Sequence, residues 1–486
     1  MGPTRVYCVT ISRRATLVEA RLRLAIFMGI IAVLPGLIAA YIAWRRSAQI
    51  ALLDVYLPVL LLLPEYYRWV VPALPDPTFS QATILPIAAV FFLREFRHWR
   101  YSWNDGLVLA FAACIGYSEY INTGYKEAQN LMFDMVASVV LPYMMAKGLI
   151  EPKGMRVAFA RRFAWLLFVV SVVSIFEFRM GMTPWQMVLN RFFPGQGEGW
   201  ITTFRYGFAR IAGPYGHAIL AGLILVIGYR IQRWLEWTGN WEPRFKKLPW
   251  LKISKARVIT LGIALGVAMT LVRGPWLGGF VGAVLTAVGF AKKRKLALIL
   301  VGSVVIAVGV PAASMFYAYA SVGRANAKSD SQETAAYRLE LIDKYINIAL
   351  QKGTLGWGRN TWPKVDGMTS IDNYYLLLAL MHGFVGDALL VLILVGTIFR
   401  LVRFEMQRPP PKIRGSSFGF TLAGIFLAFG VTIATVYVGL TAMPVFALMT
   451  GWAEGYLLNT APAAVGARVA VATVATPKFA FRRVVA

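Results

Sequence analysis

Long apolar runs recur from one end of this 486-residue chain to the other, and they constrain its fold more than any other feature. Each run has about 17–22 residues, the length that an α-helix needs to cross the hydrocarbon core of a bilayer. Hydrophobic residues make up 58% of the chain and charged residues only 15%, so a soluble core could not bury this much apolar surface. The runs are continuous rather than alternating, which excludes a membrane β-barrel. The sequence therefore predicts an all-α, polytopic membrane protein.

Basic residues orient the spans, because every second connecting loop holds a cluster of Lys and Arg, as the positive-inside rule requires of cytoplasmic loops. The first span is an exception, since Arg45 and Arg46 follow it but five more arginines precede it. It is either a true span or a segment that returns at Pro35-Gly36, so the sequence predicts twelve or thirteen membrane helices. The candidate spans lie near residues 24–44, 48–63, 79–93, 105–121, 131–149, 163–178, 213–229, 256–272, 275–291, 296–317, 373–399, 417–436 and 440–458.

The chain is strongly basic, with 50 Lys and Arg against 23 Asp and Glu and a formal net charge of +27. In a soluble protein this balance would suggest a nucleic-acid partner, but here membrane topology accounts for most of it, and no nucleic-acid partner is expected. Two loops on the opposite, extracytoplasmic side are long, at residues 179–212 and 318–371. No internal repeat divides the chain, so residues 1–486 are expected to form a single integral membrane domain.

Metal ligands and cysteines are scarce. His98, His217 and His382 are not clustered with Cys or carboxylates, so neither a metal site nor a cofactor is expected. Cys8 and Cys114 lie far apart, which argues against a disulfide framework. The sequence also lacks a Gly-rich nucleotide-binding loop.

The larger outer loop contains a segment, Thr334 to Leu350, with the spacing of an amphipathic helix that Asp330 or Ser331 could cap. Arg338 falls in the middle of the apolar arc, where an unpaired guanidinium is costly. It either snorkels or forms a structural ion pair, or it holds an anion in a cavity. The polar arc holds Glu340, Asp343, Lys344 and Asn347, and the apolar arc holds Leu339, Leu341, Ile342, Tyr345, Ile346 and Ala349.

Two further arginines stand on the side where the positive-inside rule disfavours them. Arg210 precedes GPYGHAILAG (213–222), and Arg273 lies in VRGPWLGG (272–279), each at a Gly/Pro break. Guanidinium groups bind phosphate oxygens bidentately and stay charged, so three outer arginines would suit a pyrophosphate. The alternative for Arg210 and Arg273 is contact with lipid headgroups. His217 is either a packing residue or a polar contact to substrate.

The larger outer loop meets the next span at Asp372, Asn373 and Tyr374. A carboxylate between water and protein can have a raised pKa and act as a base near neutral pH, so Asp372 is a candidate base. The alternative is that it caps the helix, a position that both Asp and Asn favour. Asp387 is predicted to cap the helix that restarts after the Gly383–Gly386 break, and His382 to be a packing residue.

Four stretches together resemble the bacterial O-antigen ligase/polymerase family of integral membrane proteins. They are RIAGPYGHAILAG (210–222), VRGPWLGGFVG (272–282), YRLELIDKYINIALQKGTLGWG (337–358) and IDNYYLLLALMHGFVG (371–386), within a family-like core of about residues 200–400. The resemblance implies a C-type glycosyltransferase architecture in the bacterial inner membrane, with its active site on the extracytoplasmic face. It also implies an undecaprenyl-diphosphate-linked glycan as donor, contact with membrane lipids, and a flippase and a chain-length regulator as partners.

By the resemblance, the family's functional arginines correspond best to Arg210, Arg273 and Arg338. Asp372 and Arg338 are the expected catalytic residues, and Asp372 stands where the ligase motif has a His. This departure favours a polymerase that joins repeat units into exopolysaccharide, capsule or O-antigen polymer over a ligase that transfers glycan to lipid A-core or protein. A polysaccharide transporter is disfavoured because the spans carry no acid–base relay and no evident paired broken helices. A structural subunit would leave the outer arginines without a task. The expected substrate-binding residues are Arg210, Arg273, His217, Asn373 and Tyr374.

Overall fold

The structure is a computed structural model, and it describes residues 29–70, 75–197, 202–245, 253–368, 370–409, 417–439 and 442–459. Within these ranges the chain is helical apart from its loops and one antiparallel hairpin, β1 (Phe204–Arg205) and β2 (Phe208–Ala209). The helices are α1 (Ile30–Arg45), α2 (Ala48–Leu62), α3 (Phe79–Arg94), α4 (Trp103–Thr123), α5 (Tyr125–Leu149), α6 (Arg156–Met180), α7 (Pro184–Leu189), α8 (Ala218–Trp237), α9 (Lys255–Met269), α10 (Arg273–Val288), α11 (Arg294–Ala320), α12 (Asp330–Gln351), α13 (Tyr374–Met406), α14 (Phe418–Ile433) and α15 (Met443–Asn459).

Five of these helices, α5, α6, α8, α11 and α13, are long and apolar enough to cross a membrane. Four more, α1, α2, α3 and α14, are apolar but shorter. Every span that the sequence predicts coincides with a helix in the described ranges. The prediction of an all-α polytopic membrane protein is therefore confirmed.

The first helix resolves the ambiguity at the first span. Its turns run from Ile30 through Pro35 and Gly36 to Arg45, so of the two alternatives the return at this dipeptide is not formed. Pro35 lies in the first α-helical turn, where its missing N–H removes no hydrogen bond. Gly36 permits close packing on α3, since a Cβ there would lie 2.5 Å from the carbonyl oxygen of Ala82. Residues 24–28 of the predicted span lie outside the described residues.

The clusters of basic residues meet at one end of the helix bundle, here called the basic end. Lys153 after α5 forms an ion pair with Glu95 after α3, at 2.8 Å. Arg400 of α13 binds Glu454 of α15 through two hydrogen bonds of 2.7 and 2.8 Å. These contacts bring loops from both halves of the chain to the same end. The loops that follow α2, α6, α11 and α14 lie at the opposite end, here called the site end.

A break in α13 fixes the larger outer loop against the bundle. Gly383 has a left-handed φ of 76°, which interrupts the helical hydrogen bonds around it. The amides of Trp357 and Gly358 donate to the carbonyl oxygens of Leu380 and Met381, at 2.9 and 2.8 Å. The amide of Phe384, freed by the same break, donates to Gly353. The loop therefore supplies partners that the broken helix lacks. Asp387 forms no hydrogen bond with a described residue, so its predicted capping role is wrong.

The amphipathic segment forms α12, which begins at Asp330 rather than at Thr334. Its N-cap is Ser329, whose hydroxyl accepts the N–H of Gln332, so the predicted caps Asp330 and Ser331 are wrong. Leu341, Tyr345 and Ala349 of the apolar arc are buried against Leu376 and Leu380 of α13. Ile342 is 42% exposed, so only the middle of the predicted arc packs on the bundle.

Candidate functional site

A cavity of about 640 Å³ lies at the site end, where loops from distant parts of the sequence meet the membrane helices. We call it the junction cavity. Its volume is typical of a ligand-binding pocket. Two residues that the sequence singled out, His217 and Asp372, lie in its wall. The wall is built from residues within 65–68, 196–197, 215–220, 370–372 and 436–439.

At the start of α13, Asn373 caps the helix and Asp372 does not. The Oδ1 atom of Asn373 accepts the amides of Tyr375 and Leu376, at 3.1 and 3.3 Å, as an N-cap residue does. Asp372 is half-buried, and its side chain forms no hydrogen bond or ion pair with any residue that the structure describes. The alternative in which Asp372 caps the helix is therefore wrong, and its carboxylate faces the cavity.

His217 is the N-cap residue of α8, and its ring is accessible from the cavity. Its Nδ1 atom accepts the amide of Ile219 at 3.1 Å, which places the hydrogen of a neutral ring on Nε2. Desolvation and then the charge of Arg210 lower the pKa of His217, while Asp372 opposes them. The imidazole is therefore neutral near pH 7 and presents an N–H donor. Arg210 and Asp372 both lie close enough to interact with it electrostatically.

A buried carboxylate holds the stretch that runs from Arg210 to His217. Glu177, at the C-terminal end of α6, accepts the amides of Ala212 and Gly213, both at 2.9 Å. Its side chain is fully buried, so these two hydrogen bonds satisfy a charge that would otherwise be costly. The turn that enters α8 is therefore positioned by α6, as well as by its own cap.

Arg210 follows the hairpin and lies beside this turn. Its guanidinium donates to Oγ1 of Thr203 at 3.2 Å, but its Nε atom is buried without a hydrogen-bond partner in the described part of the chain. Desolvation and the neighbouring Arg205 lower the pKa of Arg210. Two adjacent cations of this kind create a local field that attracts an anion.

The loop after α2 contributes a carboxylate that the sequence analysis missed. Glu65 is 3% exposed and lies in the cavity wall. The hydroxyl of Thr78 donates to its Oε2 atom at 2.6 Å, whereas its Oε1 atom is buried and has no hydrogen-bond partner among the described residues. Desolvation raises the pKa of Glu65 to about 7, and nearby hydroxyls and the Arg68 guanidinium oppose the shift. The signal in the sequence was a carboxylate directly after an apolar span, in LLPEYY (62–67).

Arg68 joins this loop to the rest of the site end. Its guanidinium pairs with Asp134 of α5, with N–O distances of 3.2 and 3.4 Å. The side chain of Gln196 binds both the amide and the carbonyl of Arg68, at 2.7 and 3.0 Å. The loop after α2 is thus fixed by side chains from two other segments.

The other predicted site residues lie outside the cavity wall. Arg273 is exposed at the first turn of α10, and Arg338 is half-buried on α12. The Nε atom of Arg338 is buried without a hydrogen-bond partner, and no described carboxylate pairs with this guanidinium, so the ion pair that the sequence allowed is not formed. Tyr374 is buried and packs its ring against Tyr437 of the wall, with centroids 6.3 Å apart. Their roles in binding stay predictions.

The break in α13 also fixes the environment of His382. This side chain is buried, and its Nδ1 atom lies 3.1 Å from the hydroxyl of Ser118. It contacts a second, smaller cavity rather than the junction cavity. The interpretation of His382 as a packing residue is consistent with this placement.

Part of the chain matches a known protein family. Residues 258–392 match the family model described as O-antigen ligase. The matched segment runs from within α9 into α13, and it contains Arg273, Arg338, Asp372, Asn373 and Tyr374, whereas Arg210 and His217 precede it. No curated protein matches the chain.

Proposed function

Because residues 258–392 match the O-antigen ligase family model, we propose that this chain is a membrane glycosyltransferase of that family and that it joins undecaprenyl-diphosphate-linked repeat units into exopolysaccharide, capsule or O-antigen polymer. The observation that carries the proposal is the start of α13. Asn373 caps the helix there, and Asp372, which stands where the ligase motif has a His, faces the junction cavity. A carboxylate in this place can hold a sugar hydroxyl.

The proposed reaction is a direct glycosyl transfer. A hydroxyl of the acceptor sugar attacks the anomeric carbon of the donor glycan, the bond from that carbon to the phosphate oxygen breaks, and undecaprenyl diphosphate leaves. Asp372 orients the acceptor or takes its proton. Arg210, Arg273 and Arg338 bind the diphosphate and stabilise the negative charge that develops on it. The energy of the transfer comes from the bond between the donor sugar and the diphosphate, and no nucleotide sugar is consumed.

The second candidate function is a ligase that transfers the lipid-linked glycan to lipid A-core or to protein. One observation favours it. His217 lies in the same wall as Asp372 and interacts with it electrostatically, so the cavity contains an imidazole that comes from a different helix start. The two functions differ in their acceptor and share the donor.

Deletion of the gene separates the two functions. A polymerase mutant should accumulate single lipid-linked repeat units and lose the ladder of longer chains on a gel. A ligase mutant should instead accumulate lipid-linked polymer that is not attached to its acceptor. If deletion changes neither the ladder of longer chains nor the attachment of polymer to its acceptor, both functions are contradicted. The transporter alternative would then have to be considered again.

The proposed site faces the outside of the bacterial inner membrane, where a flippase delivers the donor and a chain-length regulator acts on the product. The basic end would then lie in the cytoplasm, as the positive-inside rule requires. Reporter fusions at Gly323 and Gly367, two positions with open space around them, test the orientation. Both should report export, and a cytoplasmic signal at both would contradict the proposed orientation.

A further inference from the structure

Glu177, Asp372 and Glu65, three of the carboxylates at the site end, differ in how their oxygens are occupied. Both oxygens of Glu177 accept backbone amides, so this side chain has a structural role. Asp372 is half-buried in the cavity wall. Glu65 is the most deeply buried carboxylate in that wall, and one of its oxygens accepts no hydrogen bond from a described residue. An unsatisfied carboxylate oxygen in a buried position is costly unless a ligand supplies the donor.

We propose that Glu65 is the group that takes the proton from the acceptor hydroxyl, and that Asp372 orients that hydroxyl. This inference rests on the proposed glycosyl transfer. A turn of the Glu65 side chain presents its carboxylate to the cavity, and the proton of the hydroxyl moves to that carboxylate as the hydroxyl oxygen bonds to the anomeric carbon. The electron pair of the breaking carbon–oxygen bond leaves with undecaprenyl diphosphate, and Glu65 later returns its proton to water. Each turnover therefore restores the carboxylate.

The geometry of His217 excludes it from this role as long as α8 keeps its cap. Its Nδ1 atom is occupied by the amide of Ile219, and its Nε2 atom carries a hydrogen. A neutral imidazole in this state can donate a hydrogen bond to a sugar oxygen, but it has no free lone pair for a proton. Glu65 and Asp372 are then the carboxylates in the described wall that can accept one.

The loop that carries Glu65 lies directly against the turn that carries His217. Tyr66 packs on Gly216, where a Cβ atom would lie 3.3 Å from the Tyr66 ring. Gly216 has a left-handed φ of 71°, so both the turn and the close approach require glycine. The two loops therefore form one continuous wall, and a sugar held beside His217 and Asp372 lies in the cavity whose wall contains Glu65.

The surroundings of Glu65 suit a group that exchanges a proton near neutral pH. Burial raises the pKa of this carboxyl, which lies in the loop between α2 and α3, to about 7. The Arg68 guanidinium favours the charged form, and Asp134 of α5 disfavours it. Tyr56 of α2 is also within electrostatic range. His217 and Asp372 face the same cavity from α8 and α13. Since a base acts in its deprotonated form, the rate should rise as the pH rises through about 7.

The test uses the purified full-length protein in liposomes and, as substrate, lipid-linked repeat units extracted from a strain that lacks the gene. Glu65→Gln keeps the size of the side chain and an oxygen that accepts from Thr78, but it cannot take a proton. We expect kcat to fall by about 10²–10⁴ with little change in KM. Glu127→Gln, an exposed carboxylate at the first turn of α5, is the matched control and should behave as wild type.

The pH profile supplies a readout that a purely structural role of Glu65 would not change. The wild-type kcat should fall below about pH 7, and His217→Asn should keep this acidic limb, whereas Glu65→Gln should lose it. A limb that persists in Glu65→Gln and disappears in His217→Asn would overturn the assignment. If Glu65→Gln does not yield folded protein by size exclusion, the profile of Asp372→Asn takes its place. An acidic limb that persists in both His217→Asn and Asp372→Asn would support Glu65, and a limb that disappears in Asp372→Asn would overturn the assignment. Normal extension by Glu65→Gln would refute this inference alone, and no extension by the wild type would refute the proposed function with it.

Discussion

Two membrane helices, α8 and α13, begin at the junction cavity. They differ in whether the residue that caps the helix is also the one that lines the cavity. At α13, Asn373 caps two amides and leaves Asp372 in the wall. At α8, one residue, His217, both caps an amide and lines the wall. Capping and contact with the cavity are therefore carried out by two residues at the start of α13 and by one residue at the start of α8.

The combined arrangement at α8 depends on support from outside the helix. His217 accepts a hydrogen bond from one backbone amide, whereas Asn373 accepts hydrogen bonds from two. The residues before His217 are held by Glu177 of α6. The start of α13 needs no such carboxylate, since its cap is local. A substitution at Asp372 should therefore change the chemistry alone, whereas substitutions around α8 should change activity and stability together.

Asp372→Asn should have the largest effect among the variants that test this comparison. If Asp372 orients the acceptor hydroxyl, the rate should fall by about 10²-fold, because a misplaced reactant loses much of the benefit of proximity. Folding should be normal, since Asn373 keeps the cap. Extension of lipid-linked repeat units on a gel, with expression checked in the same membranes, measures the loss.

Two further variants make the Asp372 result specific. Asp366→Asn, an exposed carboxylate in the same loop, should remain active. Asp372→His restores the residue of the ligase motif. A loss of about 10³–10⁴ with Asn and recovery with His would show that Asp372 itself takes the proton, and would contradict the assignment of Glu65.

Arg210→Lys should have the next largest effect, on the side of the cavity that α8 forms. Lysine keeps the charge but cannot bind two phosphate oxygens with one planar group. We expect kcat/KM for the lipid-linked donor to fall by about 10–10²-fold, the value of one or two charge-assisted hydrogen bonds. Arg179→Lys, an exposed arginine near the same end of α6, is the control. Equal activity of both variants would remove Arg210 from the diphosphate site.

The sequence predicted the membrane helices well because an apolar run of sufficient length has few alternatives in a bilayer. It placed Asp372 and Asn373 at a helix start for the same reason. It could not separate their roles, because both residue types favour the N-cap. The start of α12 was misplaced because Ser329, Asp330 and Ser331 are all suitable caps, and tertiary contacts choose among them.

Glu65 illustrates what a linear pattern does not contain. Its value to the site comes from burial and from the packing of Tyr66 on Gly216, which joins two loops that are far apart in the chain. Likewise, the position of Arg210 depends on Glu177, whose role appears only when α6 and the turn before α8 are brought together. Such contacts are tertiary, so neither periodicity nor composition could indicate them.

Glu177→Gln tests whether the start of α8 needs support from α6. The side-chain oxygen of glutamine can accept a hydrogen bond from one of the two backbone amides, but its NH₂ group would point at the other. Buried donors would then lack acceptors, at a cost of about 1–3 kcal/mol. The turn should shift, and kcat/KM should fall by about 10-fold, the equivalent of about 1.4 kcal/mol. Thermal unfolding in detergent should show the accompanying loss of stability. Arg179→Gln, at the same end of α6, should change neither property.

The smallest expected effect is at His217, where capping and chemistry can be separated by two substitutions. Asparagine is a good N-cap residue and alanine is a poor one, so His217→Ala should destabilise the protein by about 1 kcal/mol and His217→Asn should not. If the imidazole also donates a hydrogen bond to substrate, both variants should lose activity by a few-fold, about the value of one neutral hydrogen bond. Thermal unfolding in detergent and the rate of extension, measured on the same preparations, separate the two effects. Full activity of His217→Asn would show that His217 only caps α8. Of the residues at the two helix starts, Asp372 alone would then act on the acceptor.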